Sequence, residues 1–377
     1  MASSKPWNFG AGPAMLPESV LEEARASFVD YAGTRMSLVE LSHRDAPVMR
    51  MMERAESSLR ELLSIPATHE VLFLQGGAST QFAAVPLNLV PDATEASSAA
   101  AVYVVNGTWS AAAHREASRY LPTRQVGSCE EALAGAEETA PPAYVYYCDN
   151  ETVHGVEQPT VPAIDMPSSG LSSLLVCDMS SNFISRPVDV SRLDVILAGA
   201  QKNSGIAGLT VVIVRKAVLD RASALTPTML SWKVAAAAKS SYNTPPVFAI
   251  FMAGLVFDWT LQQGGVAAMA ALSEAKSQRL YAAIGESKCF KATVPEALRS
   301  RMNVVFRLAH PHTGEFDAKL EERFCRQADA KDLKQLSGHR SVGGIRASLY
   351  NAMPLQGVEA LIDFMKQFEQ EITQETQ

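Results

Sequence analysis

The sequence predicts an α/β fold, with a mostly parallel sheet covered by helices on both faces and a smaller α+β domain beside it. Short apolar runs bounded by turn residues alternate with helical segments over the first two thirds of the chain. These runs are almost continuously apolar, as in strands that are buried on both faces. From about Val247 the alternation gives way to longer helices and isolated strands, which indicates the second unit.

The composition is that of a globular protein with a sizeable core. The 377 residues are 47% hydrophobic and 19% charged, which excludes a disordered chain. A net charge of −7 gives no support to a nucleic-acid partner or to binding at an acidic membrane surface. The longest nearly apolar run, 247–257, is too short to span a bilayer, which takes about 20 residues.

The cysteines and the first residues favour a cytoplasmic protein. The N-terminal segment has no apolar stretch of the secretory type. Five widely spaced cysteines without a C-x-x-C pair argue against a disulfide framework or a zinc site and favour a reducing compartment. His310 and His312 lie close in sequence, but no third ligand pattern accompanies them, so we expect no metal.

The predicted elements alternate along the chain. The strands of the sheet are expected at 71–74, 101–105, 144–147, 174–177, 194–198 and 209–214. Helices are expected at 16–31 and 47–63, and after the turns at 76–80 and 107–109. In the second unit we expect one helical region from 247 to about 284, a strand at 303–307, a helix at 317–328, a Gly-rich segment at 338–346 and a closing helix at 357–373.

Polar residues follow several of these strands, at the edge of the sheet where open α/β proteins bind their ligands. Together they supply a phosphate cradle, an aromatic ring, a hydroxyl, a carboxylate and an amine. They are residues 76–80, Trp109, residues 150–152, Asp178, Gln201 and Lys202.

Residues 76–80, GGAST, place small residues and two hydroxyls at the start of a helix. Free backbone N–H groups and the helix dipole favour a phosphate there. An ordinary glycine turn with a Ser or Thr cap explains the same residues. The segment is not a P-loop, because no Gly-Lys-Ser/Thr follows, and the chain has no G-x-G-x-x-G dinucleotide motif.

Asp178 and Lys202 each end an apolar strand, where a charged side chain needs a partner. Asp178 has an alternative role as a cap for the residues that follow it. Partial burial lowers the pKa of a lysine, as Schiff-base chemistry with a carbonyl requires. A carboxylate for a pyridinium nitrogen and an amine for an aldehyde together indicate a pyridoxal phosphate site.

Nine segments from residue 12 to residue 355 resemble the phosphoserine aminotransferases. The most specific are AGAQKN at 198–203 and RASLYNAMPL at 346–355. The others are GPAMLP at 12–17, SHR at 42–44, QFAAVPLN at 81–88, NET at 150–152, SRPVDVS at 185–191, YNTPP at 242–246 and GHR at 338–340. The resemblance covers nearly the whole chain and keeps the order of the segments.

The resemblance implies the type I fold of pyridoxal-phosphate-dependent transferases, with a seven-stranded sheet in the large domain. We expect that domain to span 17–267, and the small domain to combine 1–16 with 268–377. The family is homodimeric with shared sites, so the resemblance implies a homodimer. Its reaction is a transamination that links glutamate and 3-phosphohydroxypyruvate with 2-oxoglutarate and phosphoserine, in serine biosynthesis.

The resemblance also assigns roles to cofactor-binding residues. Lys202 is expected to form the Schiff base and to move the proton between Cα and the cofactor. Asp178 is expected to pair with the ring nitrogen, Trp109 to stack on the ring and Thr152 to bind the ring hydroxyl. The remaining expected contacts are to the cofactor phosphate, from Ala78 and Ser79 with Gln201 beside them, and from Asn243 and Thr244 of the other subunit.

Two His-Arg pairs, His43 with Arg44 and His339 with Arg340, are expected to bind the substrate phosphate or the γ-carboxylate. Arg346 is the candidate for the α-carboxylate. Taken singly, each arginine is better explained by a surface ion pair, and the resemblance reverses that preference. No pattern requires a nucleic acid, a membrane or a metal.

Two positions depart from the family pattern. Some members have an arginine where this chain has Ser79, so the binding of the substrate phosphate depends more on the His-Arg pairs. Some have a serine where this chain has Ala11, which removes one expected hydrogen bond. The rival interpretations are a serine–pyruvate or alanine–glyoxylate aminotransferase, a cysteine desulfurase, and a scaffold of the same fold without cofactor.

Overall fold

The computed structural model describes residues 5–91, 101–134, 141–162 and 173–375. Residues 1–4 and 376–377 of the expected small domain lie outside the described residues, as do 92–100, 135–140 and 163–172 of the expected large domain. Within the described ranges, no helix is both long and apolar enough to cross a membrane.

The chain alternates strands and helices over its first two thirds. The strands are β1 (Trp7–Asn8), β2 (His69–Leu74), β3 (Ala101–Val104), β4 (Thr123–Val126), β5 (Tyr144–Cys148), β6 (Asn150–Glu151), β7 (Val156–Glu157), β8 (Leu174–Asp178), β9 (Val195–Gly199), β10 (Thr210–Arg215), β11 (Phe290–Ala292), β12 (Asn303–Leu308), β13 (Leu333–Lys334) and β14 (Ile345–Ser348). The helices are α1 (Glu18–Val29), α2 (Ala46–Leu63), α3 (Gly77–Leu89), α4 (Thr108–Ala117), α5 (Cys129–Ala134), α6 (Trp232–Ala237), α7 (Val247–Gln262), α8 (Gly265–Glu286), α9 (Ala318–Ala330) and α10 (Leu355–Glu375).

A seven-stranded sheet forms the centre of the larger part, in the order β2-β10-β9-β8-β5-β3-β4. Strand β10 runs antiparallel to both of its neighbours, and the other neighbouring pairs are parallel. Every residue of β3, β5 and β9 is buried, which explains why these strands are continuously apolar in sequence. The predicted α/β class with a mostly parallel sheet is confirmed.

Helices cover both faces of this sheet, because successive strand residues point to opposite sides. Val102 and Val104 of β3 join one core, which includes side chains of α1, α2 and α7. Ala101 and Tyr103 of the same strand join a second core with α3, α4 and α6. The expectation that helices cover the sheet on both faces is therefore confirmed.

A third core lies in the remaining part of the chain. Phe9, close to the N-terminus, packs there with residues from Leu280 onward. The antiparallel sheet β11-β12-β14 and the helices α9 and α10 supply most of its side chains. The division of the chain at residue 267 stays a prediction.

The single helical region expected from 247 to about 284 is wrong, because the chain breaks into α7 and α8. Gly264 and Gly265 have φ values of 99° and 73°, in the left-handed region that favours glycine. The expectation also missed β4, a partly exposed edge strand without an apolar run, and β14, which is only four residues long and follows two glycines.

Candidate active site

A cavity lies at the carboxyl ends of β5, β8 and β9, against the first turns of α3 and α4. Seven of the predicted site residues line it: Ala78, Ser79, Trp109, Thr152, Asp178, Gln201 and Lys202. The topology brings them together from five separate parts of the sequence. This is the edge at which open α/β sheets bind ligands.

Lys202 follows β9 and is half-buried, with its side chain directed into the cavity. Its Nζ donates a hydrogen bond to Thr152 Oγ1 at 3.0 Å and lies 5.7 Å from the centre of the Trp109 ring. Burial lowers the pKa of Lys202 to about 8; the nearby Asp178 carboxylate opposes this shift, and the Arg346 guanidinium adds to it. The neutral amine, which is the nucleophilic form, is therefore more populated near neutral pH than in an ordinary lysine, at about one tenth of the molecules at pH 7.

Asp178 is the last residue of β8 and is buried at the floor of the cavity. Its Oδ1 accepts a hydrogen bond from the Ser180 amide at 2.9 Å, and its Oδ2 accepts one from the Tyr146 hydroxyl at 3.2 Å. The first contact is the capping role considered above. Neither of these two partners is a cation, so both leave the place of a counter-ion to a cationic group in the cavity.

Trp109 and Thr152 form a wall of the cavity beside Lys202. Trp109 lies in the first turn of α4 and is 37% exposed, which leaves a large aromatic surface in contact with the cavity. Thr152 is buried in the turn between β6 and β7 and accepts the hydrogen bond from Lys202. An indole face and a hydroxyl are suited to holding a flat, substituted ring.

The first turn of α3 closes the opposite end of the cavity. Gly76 and Gly77 have φ values of 98° and 70°, and no side chain caps this helix. The N–H groups of the first turn, including those of Ala78 and Ser79, have no partner within the helix. A Cβ on Gly76 would lie 2.2 Å from Thr80 Oγ1, so glycine is needed for the close turn. Such a turn is a site for an anion.

This set of groups fits pyridoxal phosphate. The amine of Lys202 matches the aldehyde, the carboxylate of Asp178 matches the pyridine nitrogen, and Thr152 matches the ring hydroxyl. Trp109 offers its face to the ring, and the start of α3 offers its N–H groups to the phosphate.

Arg346 lies on β14 and is half-buried near Lys202. Among the described residues, no hydrogen-bond partner satisfies its buried Nε. Burial lowers the pKa of this guanidinium, and its charge lowers the pKa of both Lys202 and His339. An unpaired guanidinium beside the amine is suited to a carboxylate on the reacting substrate.

His339 and Arg340 lie in the loop between β13 and β14, next to Arg346. Burial lowers the pKa of His339, and the charges of Arg346 and Arg340 lower it further. Its Nδ1 lies 2.7 Å from the Ser341 hydroxyl, and Arg340 is exposed. A dianion bound in this loop would counter the charges of the two arginines and raise the pKa of His339.

Seven predicted residues are not among those that line the cavity, and three of them, His339, Arg340 and Arg346, are described above. His43 and Arg44 lie in the loop before α2, and Asn243 and Thr244 are exposed in the loop before α7. The backbone carbonyl of Thr244 accepts a hydrogen bond from Gln75 Nε2 at 3.1 Å, which holds this loop next to the end of β2. The roles of all the predicted site residues stay predictions.

The interpretation of the sequence missed several residues of the cavity and its support. Tyr146 and Cys148 lie on the same face of β5, where only the two-residue period of a strand relates them to the site. Ser180 and Ser181 follow Asp178 and line the cavity. The Ala11 carbonyl accepts a hydrogen bond from the Tyr350 hydroxyl at 2.8 Å. Among the described residues, no group of three or more His, Cys, Asp or Glu side chains is arranged to hold a metal ion.

Comparisons with known proteins identify the family. The class-V aminotransferase family model matches residues 6–361. A phosphoserine aminotransferase from Laribacter hongkongensis is 48% identical over 96% of this chain and 98% of its own length.

Two solved structures are similar over nearly all of both chains. The phosphoserine aminotransferase from Bacillus circulans subsp. alkalophilus has a TM-score of 0.88 at 38% identity, covering 98% of this chain and 99% of its own. The PLP-bound phosphoserine aminotransferase from Trichomonas vaginalis has a TM-score of 0.85 at 36% identity, covering 96% of this chain and 100% of its own. The chain thus belongs to the class-V aminotransferases and, within them, to the phosphoserine aminotransferases.

Proposed function

We propose that this chain binds pyridoxal phosphate and transfers the amino group of glutamate to 3-phosphohydroxypyruvate, giving 2-oxoglutarate and O-phospho-L-serine for serine biosynthesis. The observation that carries the proposal is the presence of the Lys202 amine, the Asp178 carboxylate and the Trp109 ring in one cavity, close to the Arg346 guanidinium. When bound, pyridoxal phosphate supplies an electron sink for the pair left on Cα after its proton is removed.

Lys202 and Asp178 act on two different protons, that of the substrate Cα and that of the ring nitrogen. In the neutral form favoured by its lowered pKa, Lys202 accepts the proton from Cα of the amino donor, and it returns a proton to Cα of the keto acid in the second half-reaction. Asp178 would keep a proton on the ring nitrogen through its negative charge. Thr152, Trp109, Gln201 and the first turn of α3, which line the cavity, would hold the ring and the phosphate in place.

Cationic groups orient the substrate. Arg346 would hold the α-carboxylate in a bidentate contact, which directs the Cα–H bond toward Lys202. His339 and Arg340, together with His43 and Arg44, would bind the phosphate of one substrate and the γ-carboxylate of the other. Both groups are anionic, so one set of mobile cations serves both substrates.

The substrate assay tests this function. We expect kcat/KM for 3-phosphohydroxypyruvate to exceed that for hydroxypyruvate by about 100-fold or more, because the unphosphorylated substrate leaves the cations unpaired. Equal values would contradict the proposal and would favour a serine–pyruvate type of enzyme. A colourless protein that takes up no added pyridoxal phosphate would instead favour a scaffold without cofactor.

We further propose a cytoplasmic homodimer in which Asn243 and Thr244 contact the cofactor phosphate of the partner's site. The five cysteines are free, and these two loop residues are exposed outside the chain's own cavity. A mixture of Lys202→Ala chains with Asn243→Ala/Thr244→Ala chains, unfolded and refolded together, tests the sharing. Statistical pairing restores about one quarter of the wild-type activity if sites are shared, because half of the dimers then carry one intact site. Activity that stays at the level of the separate variants would contradict shared sites.

A further inference from the structure

Glu151 is a carboxylate that lies behind the wall of the cavity and is fully buried, at 0% exposure. Within the described part of the chain, its side chain has three hydrogen-bond partners, all of them neutral groups of α4. Oε2 accepts from the Trp109 amide at 3.1 Å, and Oε1 accepts from the Ser110 amide at 2.6 Å and the Ser110 hydroxyl at 2.7 Å. A buried carboxylate is stable when several N–H and O–H donors and a helix N-terminus surround it, as here.

This arrangement replaces an ordinary helix cap. Gly107 precedes α4 and has no side chain to accept hydrogen bonds from the second and third helical residues, Trp109 and Ser110. Glu151 supplies the missing acceptor from another part of the chain. A Cβ on Gly107 would lie 2.3 Å from Glu151 Cδ, so the glycine leaves the space that the carboxylate occupies.

Glu151 connects two groups that contact the cavity from different elements. Its side chain holds the backbone of Trp109, and its own backbone leads directly to Thr152, which accepts the hydrogen bond from Lys202. The position of the indole relative to the Thr152 hydroxyl and the Lys202 amine therefore depends on one buried carboxylate. Lys202 Nζ lies 5.7 Å from the centre of that indole.

We propose that Glu151 is a positioning residue, which holds the Trp109 indole at the face of the cofactor ring. The inference depends on the proposed function, because the indole acts on a bound ring. Glu151→Gln keeps the shape but removes the charge, and its amide group faces the N–H donors of Trp109 and Ser110 with donors of its own. We expect the variant to bind pyridoxal phosphate about 10- to 100-fold more weakly.

A double-mutant cycle separates positioning from general stability. Pyridoxal phosphate is titrated into the apo forms of the wild type, Glu151→Gln, Trp109→Ala and the double variant, and the dissociation constant is measured by absorbance. If Glu151 acts through the indole, Glu151→Gln changes the dissociation constant in the Trp109→Ala background by less than about threefold. Additive effects in the cycle would overturn the proposal, as would unchanged binding by the single variant.

Two further variants provide a control and a second test. Ser110→Ala keeps the charge and the bond to Trp109, so its cofactor affinity should stay within about threefold of the wild type. Gly107→Ala displaces the carboxylate without removing it, so it should weaken cofactor binding in the same cycle, and it decides the question if Glu151→Gln does not fold. A wild type that binds no cofactor would overturn the proposed function together with this inference, whereas equal binding by wild type and variants overturns this inference alone.

Discussion

Lys202 and Lys276 both have a pKa that burial lowers, to about 8 and about 7, yet their surroundings differ. Lys202 faces the cavity and donates one hydrogen bond, to a hydroxyl. Lys276 lies on α8 and donates to the backbone carbonyls of Leu349, Tyr350 and Met353 at 2.8, 2.8 and 3.0 Å. In the ammonium form of Lys276 all three N–H groups are therefore occupied.

The comparison shows that a lowered pKa does not by itself identify a reactive lysine. Structural contacts perturb pKa values as strongly as active sites do. Lys202 has free N–H capacity, an open volume in front of it and an acidic partner across the cavity. Lys276 instead joins α8 to the connection between β14 and α10, so its role is to hold the strand that carries Arg346.

The largest expected difference is in catalysis. Lys202→Ala should lower kcat for transamination by about 10⁴-fold, because the proton acceptor and the covalent attachment are both lost. The variant should fold normally. Lys366→Ala, at an exposed position of α10, is the matched control and should retain full activity. Substantial turnover by the Lys202 variant would show that another group does the chemistry.

Stability should instead depend more on Lys276 than on Lys202. Lys276→Met removes one donor from each of three buried carbonyls, of which that of Tyr350 keeps the Met353 N–H, and should lower the free energy of unfolding by about 3 kcal/mol. In the apo protein Lys202→Met should change it by less than about 1 kcal/mol, because it also removes the cost of burying the amine. Urea denaturation of the two variants measures the difference. Equal losses would mean that the two lysines are structurally equivalent.

Arg346 connects the two regions, since its strand precedes the segment held by Lys276. Arg346→Lys should lower kcat/KM for glutamate by about 100-fold, because an ammonium does not reproduce the bidentate contact that orients Cα. Arg340→Lys, at an exposed position, should have a smaller effect on glutamate. Steady-state kinetics of both variants compares them directly, and a larger effect at Arg340 would reassign the α-carboxylate contact.

The smallest expected effect is the pH dependence of cofactor uptake. Only the neutral amine attacks an aldehyde, so the rate should rise with pH as Lys202 loses its proton, with a midpoint near its pKa of about 8. Between about pH 7 and pH 9 the neutral fraction rises about tenfold. Stopped-flow absorbance of the apo protein gives this profile. A rate that still increases steeply above pH 10 would indicate a lysine with an ordinary pKa.

Much of the Lys202 region could be predicted from the sequence. Apolar runs buried on both faces place the strand ends, and the residues that follow them converge at one edge of the sheet. Asp178 and Lys202 were found in this way. Lys276 has no such signal, because polar residues such as Glu274 and Gln278 surround it along α8 and suggest an exposed helix face. Its hydrogen bonds to residues 349, 350 and 353 join positions more than 70 residues apart.

The surroundings of the charged residues could not be predicted from local sequence patterns either. An isolated arginine such as Arg346 is more typical of a surface ion pair. Only the tertiary structure reveals that its buried Nε has no hydrogen-bond partner among the described residues. Glu151 belongs to the NET segment at 150–152, in which the sequence assigns a role to Thr152 only. Its hydrogen bonds to α4 join residues more than 40 positions apart. Contacts over such distances depend on the tertiary structure, which no local period encodes.

Identification of the lysine that holds the cofactor tests the central claim most directly. The holoprotein is reduced with borohydride, which makes the attachment of pyridoxal phosphate permanent, and the modified peptide is sequenced by mass spectrometry. We expect the label on Lys202 and none on Lys276. A label on Lys276 or on another lysine, or no label at all on a protein that binds the cofactor, would contradict the account.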